Sequence, residues 1–155
     1  MAEGIEVTPR QKNYVPACKL NFRSPVLLKE IKLSGTVFSG GREGKKFLAL
    51  PWVMRQIKEK IGFAPYPGTL NVKLSAENVK HRKLLEKTRS IKVCPAEGYC
   101  NGLLIKAFIG ALECAIVVPK VAVYPKDVLE IIAAVNLREA LQLEDGSEVT
   151  VTVNL

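Results

Sequence analysis

Gly62-Phe63-Ala64-Pro65-Tyr66-Pro67-Gly68-Thr69-Leu70-Asn71 is the stretch around which the rest of the chain is organised. Two prolines and two glycines make a rigid turn, which then enters a run, Thr69 to Leu74, that alternates polar and apolar residues. Alternation at period two marks a half-buried strand. Thr69, Asn71 and Lys73 then share one face, while Leu70, Val72 and Leu74 face a core. A threonine hydroxyl and an asparagine carbonyl side by side are two neutral, hard oxygen ligands. Mg2+ carried on a nucleotide is bound in this manner, with few protein ligands, because phosphates and waters fill most of its octahedron. Thr and Asn also decorate many exposed strand faces that bind nothing, so the metal reading needs support from elsewhere in the chain.

Upstream of this turn, residues 1–25 mix polar residues with Pro9, Pro16 and Pro25, show no period, and read as an irregular lead-in to one domain over 26–155. Val26 to Ser39 is strand-like and ends in the glycine-rich Ser39-Gly40-Gly41-Arg42-Glu43-Gly44. Lys46 to Leu50 reads as a second short strand. Pro51 opens a helix at its favoured first position, with Val53, Met54, Ile57 and Ile61 as its buried stripe, and Gly62 ends it.

Downstream, Ala76 to Lys87 is a charged helix or loop, and the second half is mostly strands. Ser90–Val93, Leu103–Ile109 and Leu112–Val118 are short apolar runs, and Gly110 marks a tight hairpin between the last two. Pro119 to Lys126 is a loop with two prolines, and Val128 to Val135 is a near-continuous apolar strand. Asn136 caps a short helix from Leu137 to about Leu141, with Glu139 at its third position. Asp145-Gly146 is a turn, and Glu148 to Val153 alternates as a closing strand. Many short strands, a few short helices and no βαβ rhythm predict a small, mainly antiparallel barrel.

Bulk composition narrows the function classes. The 155 residues are 48% hydrophobic and 25% charged, the balance of one globular domain. No apolar run approaches the length of a membrane span and no signal-peptide layout opens the chain, so a cytoplasmic protein with no membrane partner is expected. The formal charge of +8 favours an anionic partner such as a nucleotide or nucleic acid. Aromatics make up only 6%, which argues against a base-stacking platform. Cys18, Cys94, Cys100 and Cys114 form no C-x2-C pair, and the single histidine, His81, has no ligand spacing to them, so no structural zinc is expected. Cys94 and Cys100 bracket a turn and could meet, but a cytosolic setting predicts reduced thiols.

Two further motifs carry chemistry. In Gly40-Gly41-Arg42-Glu43-Gly44-Lys45-Lys46, glycines would let backbone N–H groups approach phosphate oxygens as an anion nest. It is not a Walker A loop, because the glycine spacing is one residue short and Lys46 stands where Ser or Thr should be. An exposed hairpin turn would look the same. In Leu129-Glu130-Ile131-Ile132-Ala133-Ala134-Val135, the lone Glu130 is costly to bury unless paired or hydrogen-bonded by a ligand. The alternative is an outward-facing residue on a one-sided strand.

In this order and separation, the three motifs resemble the archaeal CTP-dependent riboflavin kinases, over most of the chain from about Ile31 to Val153. The most specific pieces are Gly35–Pro51, Gly62–Leu74 and Ala115–Glu139. The resemblance implies a mainly β fold, a six-stranded cradle-loop barrel with two or three short helices. It also implies transfer of the γ-phosphoryl group of CTP to the 5′-hydroxyl of riboflavin, giving FMN and CDP. On this likeness Gly40, Gly41, Arg42, Glu43, Gly44 and Lys45 form the phosphate-binding loop, and Thr69 and Asn71 hold Mg2+. Val135, Asn136, Leu137, Arg138, Glu139 and Ala140 line the nucleotide, and Ala122 and Glu130 stand at the flavin positions. No general base stands out, and a monomer is expected.

The sequence also departs from that family. Arg42 replaces a glycine of the loop, Ala122 replaces a threonine contacting the flavin, and Ala134 replaces a proline. Losing one flavin hydrogen bond would cost roughly 0.5–1.5 kcal/mol. No winged-helix regulator domain of the kind some relatives carry is expected in the short leading segment. A weakened relative that senses flavin or nucleotide is therefore a second reading. A DNA-binding barrel is a distant third, suggested by the charge and by Leu137 to Val149, which is similar to swapped-hairpin transition-state regulators.

Overall fold

The computed structural model describes residues 29–40, 43–94, 102–119 and 124–155. Its strands are β1 (Glu30–Phe38), β2 (Leu70–Leu74), β3 (Ile91–Val93), β4 (Gly102–Ile109), β5 (Leu112–Pro119), β6 (Val128–Ile132) and β7 (Glu148–Asn154). The helices are α1 (Glu43–Leu48), α2 (Pro51–Ile61), α3 (Ala76–Arg82) and α4 (Leu137–Ala140), with a 3-10 turn over Lys83–Lys87 after α3. The expected lead-in over 1–25, Gly41, Arg42 and Ala122 lie outside the described residues.

The strands pair in the order β3-β4-β5-β6-β2-β1-β7, and β7 returns to β4. Six of them therefore close into the expected antiparallel barrel, with Phe108 opposite Thr152 at the closure. β3 adds to the outside of β4, pairing Ile91 with Leu104. Closure occurs within one chain, and Leu137 to Val149 contributes α4, a turn and the start of β7 to it.

Alternation decides the two sides of the barrel wall. Leu33, Val37, Leu70, Val72, Leu129 and Ile131 point inward and are almost wholly buried, filling the interior. Outside, Leu104, Ala115, Val117 and Ile132 form a second apolar layer covered by Val53, Ile57 and Ile61 of α2. Gly62 ends α2 in the left-handed conformation, as its position predicts, and its N–H reaches the Lys58 carbonyl. Gly110 turns the β4–β5 hairpin with φ of 62°. Asn136 caps α4, its side-chain oxygen accepting from the N–H groups of Arg138 and Glu139.

Three expectations need correction. Residues 43–48 are helical, where Lys46 to Leu50 was expected to be a strand. Leu48 is buried in the layer under α2, and Phe47 meets Trp52 edge-on at 6.1 Å. These contacts put consecutive apolar residues on one helical side, which five residues of pattern cannot distinguish from a strand. β6 also stops at Ile132 instead of running to Val135. Cys94 is disulfide-bonded, with its partner outside the described residues, where reduced thiols were expected. That expectation rested on compartment, which does not say whether two thiols meet. Gln56 of α2 fixes the Cys94 backbone, donating to its carbonyl at 2.5 Å and accepting from its N–H at 3.0 Å. Among the described residues no helix is long and apolar enough to cross a membrane.

Candidate active site

β2 runs between β1 and β6, which sets Asn71 opposite Phe38 on one side and Glu130 on the other. Since Leu70 and Val72 point into the barrel, Asn71 and Glu130 point out of it. Thr69 precedes β2 on the same face, and its hydroxyl donates to Glu130 Oε1 at 3.3 Å. Tyr124 donates its phenol to Glu130 Oε2 at 2.6 Å. Thus both readings left open for Glu130 hold together: it faces outward, it is half-buried, and both its oxygens are hydrogen-bonded.

Gly40 closes this face from above. A Cβ built on it would lie 2.7 Å from Asn71 Nδ2 and 2.8 Å from its Cγ, so the chain leaving β1 rests directly on the Asn71 amide. Gly44 and Lys45, expected in the phosphate loop, belong to α1, and the Lys45 side chain is exposed. The structure thus brings Gly40, Thr69, Asn71 and Glu130 together.

The donor set suits Mg2+ held on a polyphosphate. When Thr69 gives its proton to Glu130, its oxygen lone pairs stay free for a cation, and the Asn71 carbonyl and one carboxylate are hard oxygens beside it. No group of three or more His, Cys, Asp or Glu able to hold a metal occurs among the described residues. A cation here would need ligands from phosphate and water.

Beside Thr69 lies a cavity of about 150 Å³, lined by Tyr66, Gly68, Ala133 and the start of the 135–140 segment among others. Val135, Asn136, Leu137 and Arg138 reach it, whereas Glu139 and Ala140 are exposed and do not line it. Tyr66 is half in solvent; its N–H donates to the Ala133 carbonyl at 2.7 Å, and its hydroxyl accepts from Asn136 Nδ2 at 3.2 Å. Asn136 Oδ1 thus accepts twice within the protein and one of its amide N–H groups goes to Tyr66, so the side chain holds the segment in place.

Sequence reasoning missed Tyr124 and Tyr66. Burial and the adjacent Glu130 push the Tyr124 phenol well above its ordinary range, so it stays a donor. The Arg82 guanidinium lies 5.8 Å from its ring centroid and donates to the Pro125 carbonyl at 3.2 Å. Tyr66 stood within the opening motif as an apparent turn residue. Tyr124 stands within Pro119 to Lys126, which reads as a loop, and nothing local to either residue signals its partner.

Comparison with known proteins gives a consistent result. The CTP-dependent riboflavin kinase family model, described as "Domain of unknown function DUF120", matches residues 37–153. A protein of Pyrobaculum arsenaticum named riboflavin kinase is 35% identical over 100% of this chain and 77% of its own length. One of Pyrobaculum islandicum with the same name is 42% identical over 100% of this chain and 76% of its own. One from Archaeoglobus fulgidus, again named riboflavin kinase, is 42% identical over 81% of this chain and 55% of its own.

Proposed function

This chain belongs to the CTP-dependent riboflavin kinase family, and we propose that it transfers the γ-phosphoryl group of CTP to the 5′-hydroxyl of riboflavin. The oxygen of that hydroxyl bonds to the γ-phosphorus as the bond to the β-phosphate oxygen breaks and the hydroxyl proton passes to solvent, giving FMN and CDP. The observation that carries the reading is the convergence of Thr69, Asn71, Glu130 and the backbone at Gly40 on one outer face of the barrel. Phosphoryl transfer asks for positioning and charge neutralisation more than for a covalent residue, and a neutral-oxygen pair beside a glycine backbone supports that.

Thr69 and Asn71 would hold Mg2+, whose chemistry when bound is to neutralise the phosphate oxygens. The backbone entering the glycine loop would face the phosphates, and the missing side chain at Gly40 lets that backbone sit directly against the Asn71 amide. Val135 to Arg138, with Tyr66, line the cavity next to Thr69 and support a nucleoside there, with the segment's main chain selecting the base edge. Glu130, oriented by Tyr124, would accept a hydrogen bond from the flavin.

The test is direct. Purified protein, riboflavin and Mg2+ are mixed with CTP or ATP in parallel and FMN is followed by chromatography. FMN with CTP and little with ATP is expected. Binding of riboflavin or CTP without FMN from any nucleotide would overturn the kinase reading in favour of a sensor.

A further inference from the structure

The two segments assigned above to the nucleotide lie far apart in sequence, and one carboxylate outside both ties them together. Asp145, in the turn between α4 and β7, accepts from Ser39 Oγ at both oxygens, at 3.0 and 2.8 Å. It also accepts from Arg138 Nη2 at 2.8 Å, and the same nitrogen donates to the Phe38 carbonyl at 3.2 Å. Ser39 directly precedes Gly40, and Arg138 belongs to the cavity-lining segment. Main-chain bonds frame the same junction: Gly146 N–H to the Val37 carbonyl at 2.9 Å, and Val37 N–H to the Ser147 carbonyl at 2.8 Å. The bonds from Arg138 and Ser39 hold the Asp145 carboxyl below its ordinary range.

We propose that Asp145 is a positioning residue that latches the phosphate-side loop entrance to the base-side helix, so that a nucleotide meets both in one fixed geometry. The proposal rests on the nucleotide reading above. An exposed ion pair contributes little to folding by itself, and Asp145 and Arg138 are 58% and 35% exposed. Its consequence lies in binding instead. Fixing two segments in advance lowers the ordering cost only for a ligand that touches both. Arg138 Nη2 is shared between Asp145 and the Phe38 carbonyl, which makes that nitrogen part of the latch.

Ligand length is the signature to measure. Affinities of the full chain for CTP with Mg2+ are taken by calorimetry, and those for cytidine, inorganic triphosphate and riboflavin by NMR titration. Asp145→Asn is expected to weaken CTP about two- to fivefold, the scale of one exposed ion pair, and to leave the other three unchanged. Ser39→Ala, which keeps the ion pair, should show the same pattern at smaller size, and it carries the test if Asp145→Asn does not fold. Unchanged CTP affinity in the variants, or equal weakening of CTP, cytidine and riboflavin, would overturn the latch alone. Wild-type protein that binds no CTP would overturn the nucleotide reading beneath it.

Discussion

Alanine at Gly40 and at Gly35 separates a glycine required by the site from one required by the fold. Neither glycine has the left-handed backbone seen at Gly62, Gly68, Gly110 and Gly146, so the added methyl group itself is the perturbation. At Gly40 the three atoms nearest that methyl all belong to the Asn71 amide, with Nδ2 at 2.7 Å. Ordinary contact begins near 3.4 Å, so the amide must retreat by about 0.7 Å, which a short exposed-side group can do at little cost to the fold. Misplacing a positioning group by about 1 Å costs up to ~10²-fold in rate. Gly40→Ala should therefore lower kcat/KM about 10- to 100-fold, or ~1.4–2.7 kcal/mol of transition-state stabilisation, and raise the Mg2+ needed for half-maximal rate. Its unfolding free energy should stay within about 1 kcal/mol of wild type. At Gly35 the methyl would run into the Lys73 carbonyl group, whose carbon lies at 2.8 Å, and into Val72 Cγ1 at 2.7 Å. Backbone cannot swing aside, so Gly35→Ala should cost ~1–3 kcal/mol of stability or more. The assays are FMN formation across a Mg2+ series and denaturant unfolding of both variants. A Gly40→Ala enzyme with wild-type turnover and Mg2+ response would refute the placement of Asn71 as the quantity Gly40 controls.

Tyr124→Phe removes the phenol bond to Glu130; at about 1.5 kcal/mol this should raise the riboflavin KM roughly tenfold and leave that for CTP alone. Steady-state kinetics with each substrate varied in turn checks it, and an unchanged riboflavin KM would detach Glu130 from the flavin. Burial, aided by Glu113, pushes the Cys114 thiol up to about 12 from its ordinary 9. The folded state keeps the proton that the unfolded state loses, so its stabilisation is complete below pH 9 and disappears as pH rises from 9 towards 12. The loss should reach about 1.4 kcal/mol by pH 10, and Cys114→Ala should flatten that alkaline slope in denaturant titrations. Ile57→Ala, fully buried between α2 and the outer strand layer, should cost ~2–5 kcal/mol in the same measurement.

What the sequence made legible follows from how local each cause is. Strand alternation, the proline that opens α2, Gly62, Gly110 and the Asn136 cap are each decided within a few residues, and all stand where the pattern puts them. Residues 43–48 were misread because their state is set by Trp52 and the layer under α2. Glu130 could be recognised as anomalous, but its partner Tyr124 is fixed only when the loop before β6 folds back over it. Asp145 reads correctly as a turn residue, and nothing in its neighbourhood announces that Ser39 and Arg138 converge on it.

The position of the site on the wall of the barrel has a physical cause. Even eight strands leave an interior that side chains just fill, and six leave less; here Leu33, Val37, Val72, Leu129 and Ile131 occupy it. The proposed site accordingly lies outside, on the alternate residues of the same strands. Those outer positions are apolar where α2 covers them, at Val117 and Ile132, and polar where it does not, at Asn71 and Glu130. Val117 and Glu130 are direct cross-strand neighbours, so the boundary between covered wall and open site falls between two adjacent residues. The alternation that makes β2 and β6 strands also determines which of their residues are left for chemistry. That is why the stretch from Gly62 to Asn71 contains half of the proposed site.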